Sequence, residues 1–176
     1  NASILTAAQM RAVDSATIHD EPIASIDLME RAALACVDWL LAHMPSNTRY
    51  HVFCGLGNNG GDGLAITRLL RARGQTACAY LIDHSTGDAL MSAMSSDAAI
   101  NWQRLQTLET EQNTSRIIER IRHIAELPEP CALTERDCLI DALLGTGTTR
   151  AAEGLLAQVI ERLNAHTAAA LIAIDL

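Results

Sequence analysis

The sequence predicts an α/β fold, a Rossmann-like three-layer αβα sandwich around a mainly parallel sheet. Strand-like and helix-like segments alternate along the chain, and two of the strands, 138–144 and 168–174, are nearly unbroken apolar runs, as a sheet covered on both faces requires. A glycine-rich segment also joins the first strand to a helix, where such folds place a ligand loop. With 176 residues and 49% apolar content, the chain can bury one core of ordinary size, so 1–176 reads as a single domain.

Thr6 and Gln9 have the spacing of a capping box, which predicts a helix from there to about residue 20. Ser25 opens a second helix, with Ile26, Met29, Ala33, Cys36 or Val37, and Leu40 recurring on one face. Residues 50–54 form a short strand, and 64–73 a helix stopped by Gly74. The next strand covers 76–82. Leu90, Met94, Ala98, Trp102 and Leu105 mark one helix face after Gly87, and Ile117, Ile118, Ile121 and Ala125 mark another before Pro128. A last helix carrying Leu155, Val159 and Leu163 separates the strands 138–144 and 168–174. Leu127-Pro128-Glu129-Pro130 reads as a local turn, not a linker.

The segment Cys54-Gly55-Leu56-Gly57-Asn58-Asn59-Gly60-Gly61-Asp62-Gly63 places five glycines, two asparagines and a carboxylate between strand and helix. An ordinary connection needs one or two glycines, so a ligand loop is the stronger reading than a plain turn. Residues without Cβ can take positive φ and approach a ligand closely, and the following helix offers free N–H groups to a phosphate. Gly55, Gly57 and Gly60 fit G-x-G-x-x-G, and Asp83 ends the next strand about where a dinucleotide-binding unit places its ribose carboxylate. An NAD-dependent dehydrogenase is therefore one function the residues allow. Asp62 opposes it, because its charge repels a pyrophosphate at close range, and the asparagine pair is surplus to that fingerprint. Asparagine amides both donate and accept, which suits a more polar ligand with a cation alongside.

Asp141 stands inside an otherwise apolar strand, where a carboxylate is costly unless paired, hydrogen-bonded or metal-bound. It reads either as a site residue or as a structural one capping local N–H groups. The glycine segment, Gly145-Thr146-Gly147 and Asp175 all follow or end predicted strands, so they converge at the carboxyl edge, where open α/β sheets bind ligands.

These residues resemble the NAD(P)H-hydrate epimerases, the YjeF N-terminal domain family, whose hallmark loop G-x-G-N-N-G-G-D-G is matched from Gly55 to Gly63. Leu28-Met29-Glu30, Asp141-Ala142-Leu143-Leu144-Gly145-Thr146-Gly147, Glu153-Gly154 and Leu171-Ile172-Ala173-Ile174-Asp175 fall in the order that family shows. The resemblance implies an isomerase that interconverts the R and S forms of hydrated NADH and NADPH, with Asp141 and Asp175 as candidate catalytic carboxylates. It implies substrate contacts from Asn58, Asn59, Gly60, Gly61, Asp62, Gly145, Thr146, Gly147, Thr148, Thr149, Arg150, Ala151 and Asp175. It also implies a potassium ion held by Asn59 and Asp141, whose oxygen donors suit a hard cation.

Arg150 would meet a phosphate or remain solvated; the hydroxyls of Thr146, Thr148 and Thr149 would bind substrate or their own backbone. On this reading Asp83 becomes a strand-end residue, Met29 a packing residue and Glu30 a surface one. The resemblance further implies a homodimer, a dehydratase for the S form that is fused or separate, and a continuation beginning Pro-Ser-Gly, so the chain is expected to be truncated at its C-terminus. A non-catalytic binding module of the same fold is the other alternative, against which stands the joint presence of Asn59, Asp62, Asp141 and Asp175.

Composition narrows the partners. Thirteen basic against 21 acidic residues give a net charge of −8, and aromatic residues make up 3%, which argues against nucleic acid and anionic membranes. The basic residues are all arginine, so Schiff-base and Walker-type lysine chemistry are excluded. Five cysteines without C-x-x-C spacing read as small buried hydrophobes. With no basic-apolar leader and no long apolar run, a soluble, cytoplasmic protein is expected. Six scattered histidines without H-E-x-x-H make a zinc site an unfavoured reading.

Overall fold

The computed structural model describes residues 6–85, 87, 89–112, 116–128, 133–148, 151–166 and 170–174. Among them the chain runs through α1 (Ala7–Asp20), α2 (Ser25–His43), β1 (Arg49–Cys54), α3 (Asn58–Ala72), β2 (Thr76–Ile82), α4 (Leu90–Ala93), α5 (Ser96–Gln112), β3 (Ile118–Ile121), a 3₁₀ turn (Ile124–Glu126), β4 (Asp137–Ala142), α6 (Gly154–Asn164) and β5 (Ala170–Ala173). The strands form one sheet in the order β3-β2-β1-β4-β5, every pair parallel. Chain order reverses direction between β1 and β4, which makes their carboxyl ends the topological switch point of the sheet.

Strand alternation sorts the core into two layers. Val52, Cys54, Ala79, Leu81, Ile140 and Ala142 face α2, α3 and α5; Phe53, Tyr80, Ile82, Leu139 and Leu143 face Val159 and Leu163 of α6. Helix α3 lies against β1, β2 and β4, flanked by α2 and α5. On α2 the buried residues are Met29, Ala33, Val37 and Leu40, the three- and four-residue spacing of one helix face. The capping box of α1 is made: the Gln9 amide donates to the Thr6 hydroxyl at 3.3 Å, and the Thr6 amide to Gln9 Oε1 at 2.8 Å.

Five expected elements differ. The helix expected around 117–125 is β3 followed by the 3₁₀ turn. Its apolar spacing is too short to separate the two periods, and the open edge of β2 settles it, Ile118 to Ile121 pairing with Ala79 to Ile82. The helix face from Leu90 to Leu105 is divided, because at Ser95 the backbone N–H leaves the helix to donate to Leu56 O at 2.9 Å, while its hydroxyl accepts from the Ala98 amide and opens α5. Helix α3 begins at Asn58, not 64. The strands predicted as 138–144 and 168–174 are also shorter.

At the amino edge of the sheet, Asp137 is buried and accepts from Arg49 Nε and Nη2 at 2.7 and 2.6 Å, from the Thr134 amide at 2.6 Å and from its hydroxyl at 3.0 Å, while His51 Nε2 lies 3.0 Å away. Desolvation alone would raise the Asp137 pKa, but these partners more than reverse it and hold the carboxyl far below the usual range. Burial also keeps the pKa of His51 below that of a free imidazole, against the pull of Asp137. Both folded values are depressed, so the unfolded chain binds more protons and stability falls on acidification: first as pH drops below about 6.5 (His51), then below about 3.9 (Asp137). Urea unfolding between pH 7 and 2 is expected to show this slope. Asp137→Asn should cost about 2 kcal/mol at pH 7 and flatten the part of the slope below pH 4.

Candidate functional site

Two crossover connections meet at the switch point. The Gly55 amide donates to Ala142 O at 3.0 Å, which ties the end of β1 to the end of β4, and α3 starts immediately after Gly57, its N-cap residue. Asn58, Asn59, Gly60, Gly61 and Asp62 therefore form the start of a helix rather than a non-helical loop. Positive φ is not what the glycines supply: among the described glycines it occurs only at Gly74, Gly87 and Gly154. The reason is space. A Cβ on Gly60 would lie 1.9 Å from Gly55 O, one on Gly55 2.1 Å from Leu143 O, and one on Gly63 2.7 Å from Ala142 Cβ. This close approach lets α3 begin directly above the strand ends, with its first amides at the carboxyl edge.

Asn59 is 5% exposed. Its amide nitrogen donates to Leu144 O at 2.8 Å, which joins α3 to the residues leaving β4. Its Oδ1 is buried without a hydrogen-bond partner, and an orphaned acceptor of this kind carries a desolvation cost of about 1–3 kcal/mol until a donor or a cation meets it. Asp141, half-buried, lies in β4 between Phe53 of β1 and Ala173 of β5, on the α6 side of the sheet with Leu139 and Leu143. One carboxylate oxygen accepts from the Leu143 amide at 2.9 Å, so the capping role open to it from the sequence is filled. Its position at the switch point leaves the site role open as well.

Asp62 is half-buried. Burial pushes the Cys36 thiol up and the charge of Asp62 adds to it; the same two causes act on Cys54, along with Cys78. Cys78 is pushed up to about 12 and Cys138 to about 11, in both mainly by burial. These thiols are free and protonated at neutral pH, which fits small hydrophobes rather than nucleophiles; Cys131 lies outside the described residues. After β4, the Thr148 amide donates to Gly145 O at 3.1 Å in a turn that leaves Gly145 and Thr146 half-buried and Gly147 and Thr148 exposed. Ala151 is exposed. Thr149, Arg150 and Asp175 lie outside the described residues.

Two secondary expectations resolve differently. Met29 is a packing residue, as expected, in contact range of the space beside Gly61 and accepting from Asn101 Nδ2 at 3.3 Å. Glu30 is not merely a surface residue: it pairs with Arg68 and, at 3.6 Å, with Arg104, which links α2 to α3 and α5. Asp83 is the strand-end residue. Its side chain is fully buried, bonded to Arg120 Nε at 2.7 Å and to the Ser85 amide and hydroxyl at 2.9 and 2.5 Å. Burial opposes its ionisation, but Ser85 and Arg120 more than compensate and lower its pKa. That closure removes the ribose-binding carboxylate on which a dehydrogenase reading depends. The Leu144 carbonyl is the site group that sequence reasoning missed, since a backbone acceptor leaves no mark on residue type. Among the described residues, no cluster of three or more His, Cys, Asp or Glu could hold a metal, and no helix is long and apolar enough to cross a membrane.

Comparison with known proteins agrees with this geometry. The model of the family described as YjeF-related protein N-terminus matches residues 25–176. A protein of Limosilactobacillus fermentum named NAD(P)H-hydrate epimerase is 38% identical over 161 residues, covering 92% of this chain and 68% of the relative. One of the same name from Rhodobacter capsulatus is 35% identical over 158 residues, with 86% and 66% covered. A bifunctional NAD(P)H-hydrate repair enzyme of Moorella thermoacetica is 33% identical over 164 residues, where the match spans 92% of this chain and 29% of that protein. The crystal structure of yeast ynu0 superposes with a TM-score of 0.73 at 16% identity, covering 99% of this chain and 70% of the yeast chain, which supports the fold.

Proposed function

The chain belongs to the family of YjeF-related protein N-termini, and from that membership we infer that it is an NAD(P)H-hydrate epimerase, an isomerase that interconverts the R and S forms of hydrated NADH and NADPH. The observation that carries this reading is the presence, at the carboxyl end of the sheet, of both the Asp141 carboxylate and the buried, unpartnered Asn59 Oδ1 beside a glycine-built helix start.

The chemistry needs no redox partner. The substrate carries a hydroxyl on C6, beside the ring nitrogen. A carboxylic acid gives a proton to this hydroxyl as the nitrogen lone pair expels it as water, leaving an iminium cation. Water then adds to the opposite face and returns a proton to the carboxylate. Asp141 and Asp175 are the proposed acid and base, and a nearby carboxylate also stabilises the positive intermediate. Asn58, Asn59, Gly60, Gly61, Asp62 and residues 145–151 hold the substrate in this reading, together with Asp175.

A potassium ion fits the donor set, because Asn59 Oδ1 is a buried oxygen with no proton donor to satisfy it and Asp141 supplies a carboxylate at the same end of the sheet. Bound there, the ion supplies positive charge for anionic parts of the substrate. Asp141 engaged with a cation would be the poorer proton carrier, which would pass that task to Asp175. A homodimer in the cytoplasm, with a dehydratase for the S form fused or separate, completes the proposal.

The test is an epimerisation assay on a mixture of hydrated NADPH isomers, with an S-specific dehydratase drawing off one isomer, run with and without potassium. Consumption of the whole mixture, faster with potassium, is the expected result. Consumption of the S half alone overturns the reading.

A further inference from the structure

The carboxyl ends of β2 and β3 and the start of α6 enclose an open cleft of about 690 Å³, within the roughly 300–1,000 Å³ of small-ligand sites. The mechanism above does not use it. His84 and Ser85 follow β2, Arg122 and His123 follow β3, and Glu153 and Leu155 line it from α6. The cleft shares a sheet face with Asp141, and the single connection that leaves β4 at Leu143 ends at Glu153. From β4 to β2 or β3 is two or three strand spacings, about 10–15 Å at roughly 4.8 Å each, the scale of an extended dinucleotide. In doubly wound sheets the two halves of a dinucleotide lie on either side of the switch point.

The charges in the cleft are unequally committed. Asp83 is closed by Arg120 and Ser85, and Arg122 donates to Gly87 O at 3.0 Å with its Nε 3.7 Å from Asp83. Glu153 is exposed and makes no capping bond to α6, so its carboxylate is the acceptor at hand for a ribose diol. A 2′-phosphate in the same place would set two anionic groups together. The imidazole rings of His84 and His123 offer flat faces and ring nitrogens to a purine.

We propose that this cleft seats the adenosine end of the dinucleotide, Glu153 taking the ribose hydroxyls and the two histidines lying against the base, so that hydrated NADH is preferred to hydrated NADPH. The proposal rests on the epimerase reading. Its test is calorimetric titration of adenosine 5′-monophosphate and adenosine 2′,5′-bisphosphate, together with kcat and KM for both hydrated dinucleotides, in the wild type, His84→Ala and Glu153→Gln. Both replaced side chains are exposed, so the variants are expected to fold.

The monophosphate should bind more tightly than the bisphosphate. Each variant should weaken it about tenfold and raise the KM for hydrated NADH correspondingly, with a smaller effect on kcat, and Glu153→Gln should narrow the preference between the two dinucleotides. Wild-type affinity and KM in both variants of an active enzyme overturn the cleft assignment and leave the reaction standing. Tighter binding of the bisphosphate overturns the diol assignment. A chain whose monophosphate binding depends on His84 and Glu153, yet which epimerises neither dinucleotide, keeps the cleft and overturns the reaction.

Discussion

Replacing Asp141 by asparagine is expected to lower the rate of epimerisation by about 10²- to 10⁴-fold while the fold survives. The structural work of Asp141 is one accepted hydrogen bond, from the Leu143 amide at 2.9 Å, and the asparagine carbonyl can accept the same bond. The side chain is only half-buried, so the change neither opens a cavity nor strands a charge. What the variant removes is the negative charge and the ability to exchange a proton, which the mechanism requires of Asp141, of Asp175 or of the two together. Steady-state rates for Asp141→Asn and Asp175→Asn, with thermal melts beside them, separate these roles. A loss confined to Asp175→Asn, with Asp141→Asn losing only its response to potassium, makes Asp141 the cation ligand and Asp175 the proton carrier. Wild-type rates in both variants would sink the carboxylate mechanism.

The sheet was legible where burial leaves a continuous trace. β1, β2 and β4 read as strands because Val52, Phe53, Leu81, Leu139 and Ile140 lie in apolar runs, and the switch point could be located because a glycine segment and an intra-strand Asp fall at the same edge. What escaped the sequence was contributed by neighbours distant in the chain. Ile117, Ile118, Ile121 and Ala125 suit a helix face as well as a strand, and only the unpaired edge of β2 decides. The break at Ser95 depends on the Leu56 carbonyl, and the role of Asn59 on the Leu144 carbonyl, 85 positions away. Asp137 is, in the sequence, only a polar residue at a strand start, although it is the centre of a buried network. The cleft at α6 is assembled from three separate turns, so no local pattern announces it.

The glycines teach the same lesson with a measurable consequence, because the sequence called for flexible backbone and the structure shows crowded backbone. Gly60→Ala is expected to destabilise the chain by about 1–3 kcal/mol or more and to abolish most of the activity. Its Cβ would fall 1.9 Å from Gly55 O, 2.6 Å from Gly55 C and 2.9 Å from Gly55 N, all backbone atoms that no rotamer can move aside. Gly55 cannot yield either, since its amide is bonded to Ala142 O and its own Cβ position is blocked by Leu143 O at 2.1 Å. The strain must therefore lift the start of α3 off β1 and β4, which draws Asn59 away from Leu144 O and opens the site. Gly57→Ala is the matched control: nothing lies within 4 Å of its Cβ, and alanine at a helix N-cap costs at most about 1 kcal/mol relative to glycine. A loss of about 3 kcal/mol lowers the melting temperature by roughly 6–12 °C in a chain of this size, so calorimetric melts of the two variants distinguish the cases. Equal, small shifts in both would mean that the helix start is pliable and that the glycines are kept for backbone freedom. A large shift confined to Gly60→Ala would mean that the signature segment is a packing device, whose task is to hold the start of α3 close against the ends of β1 and β4.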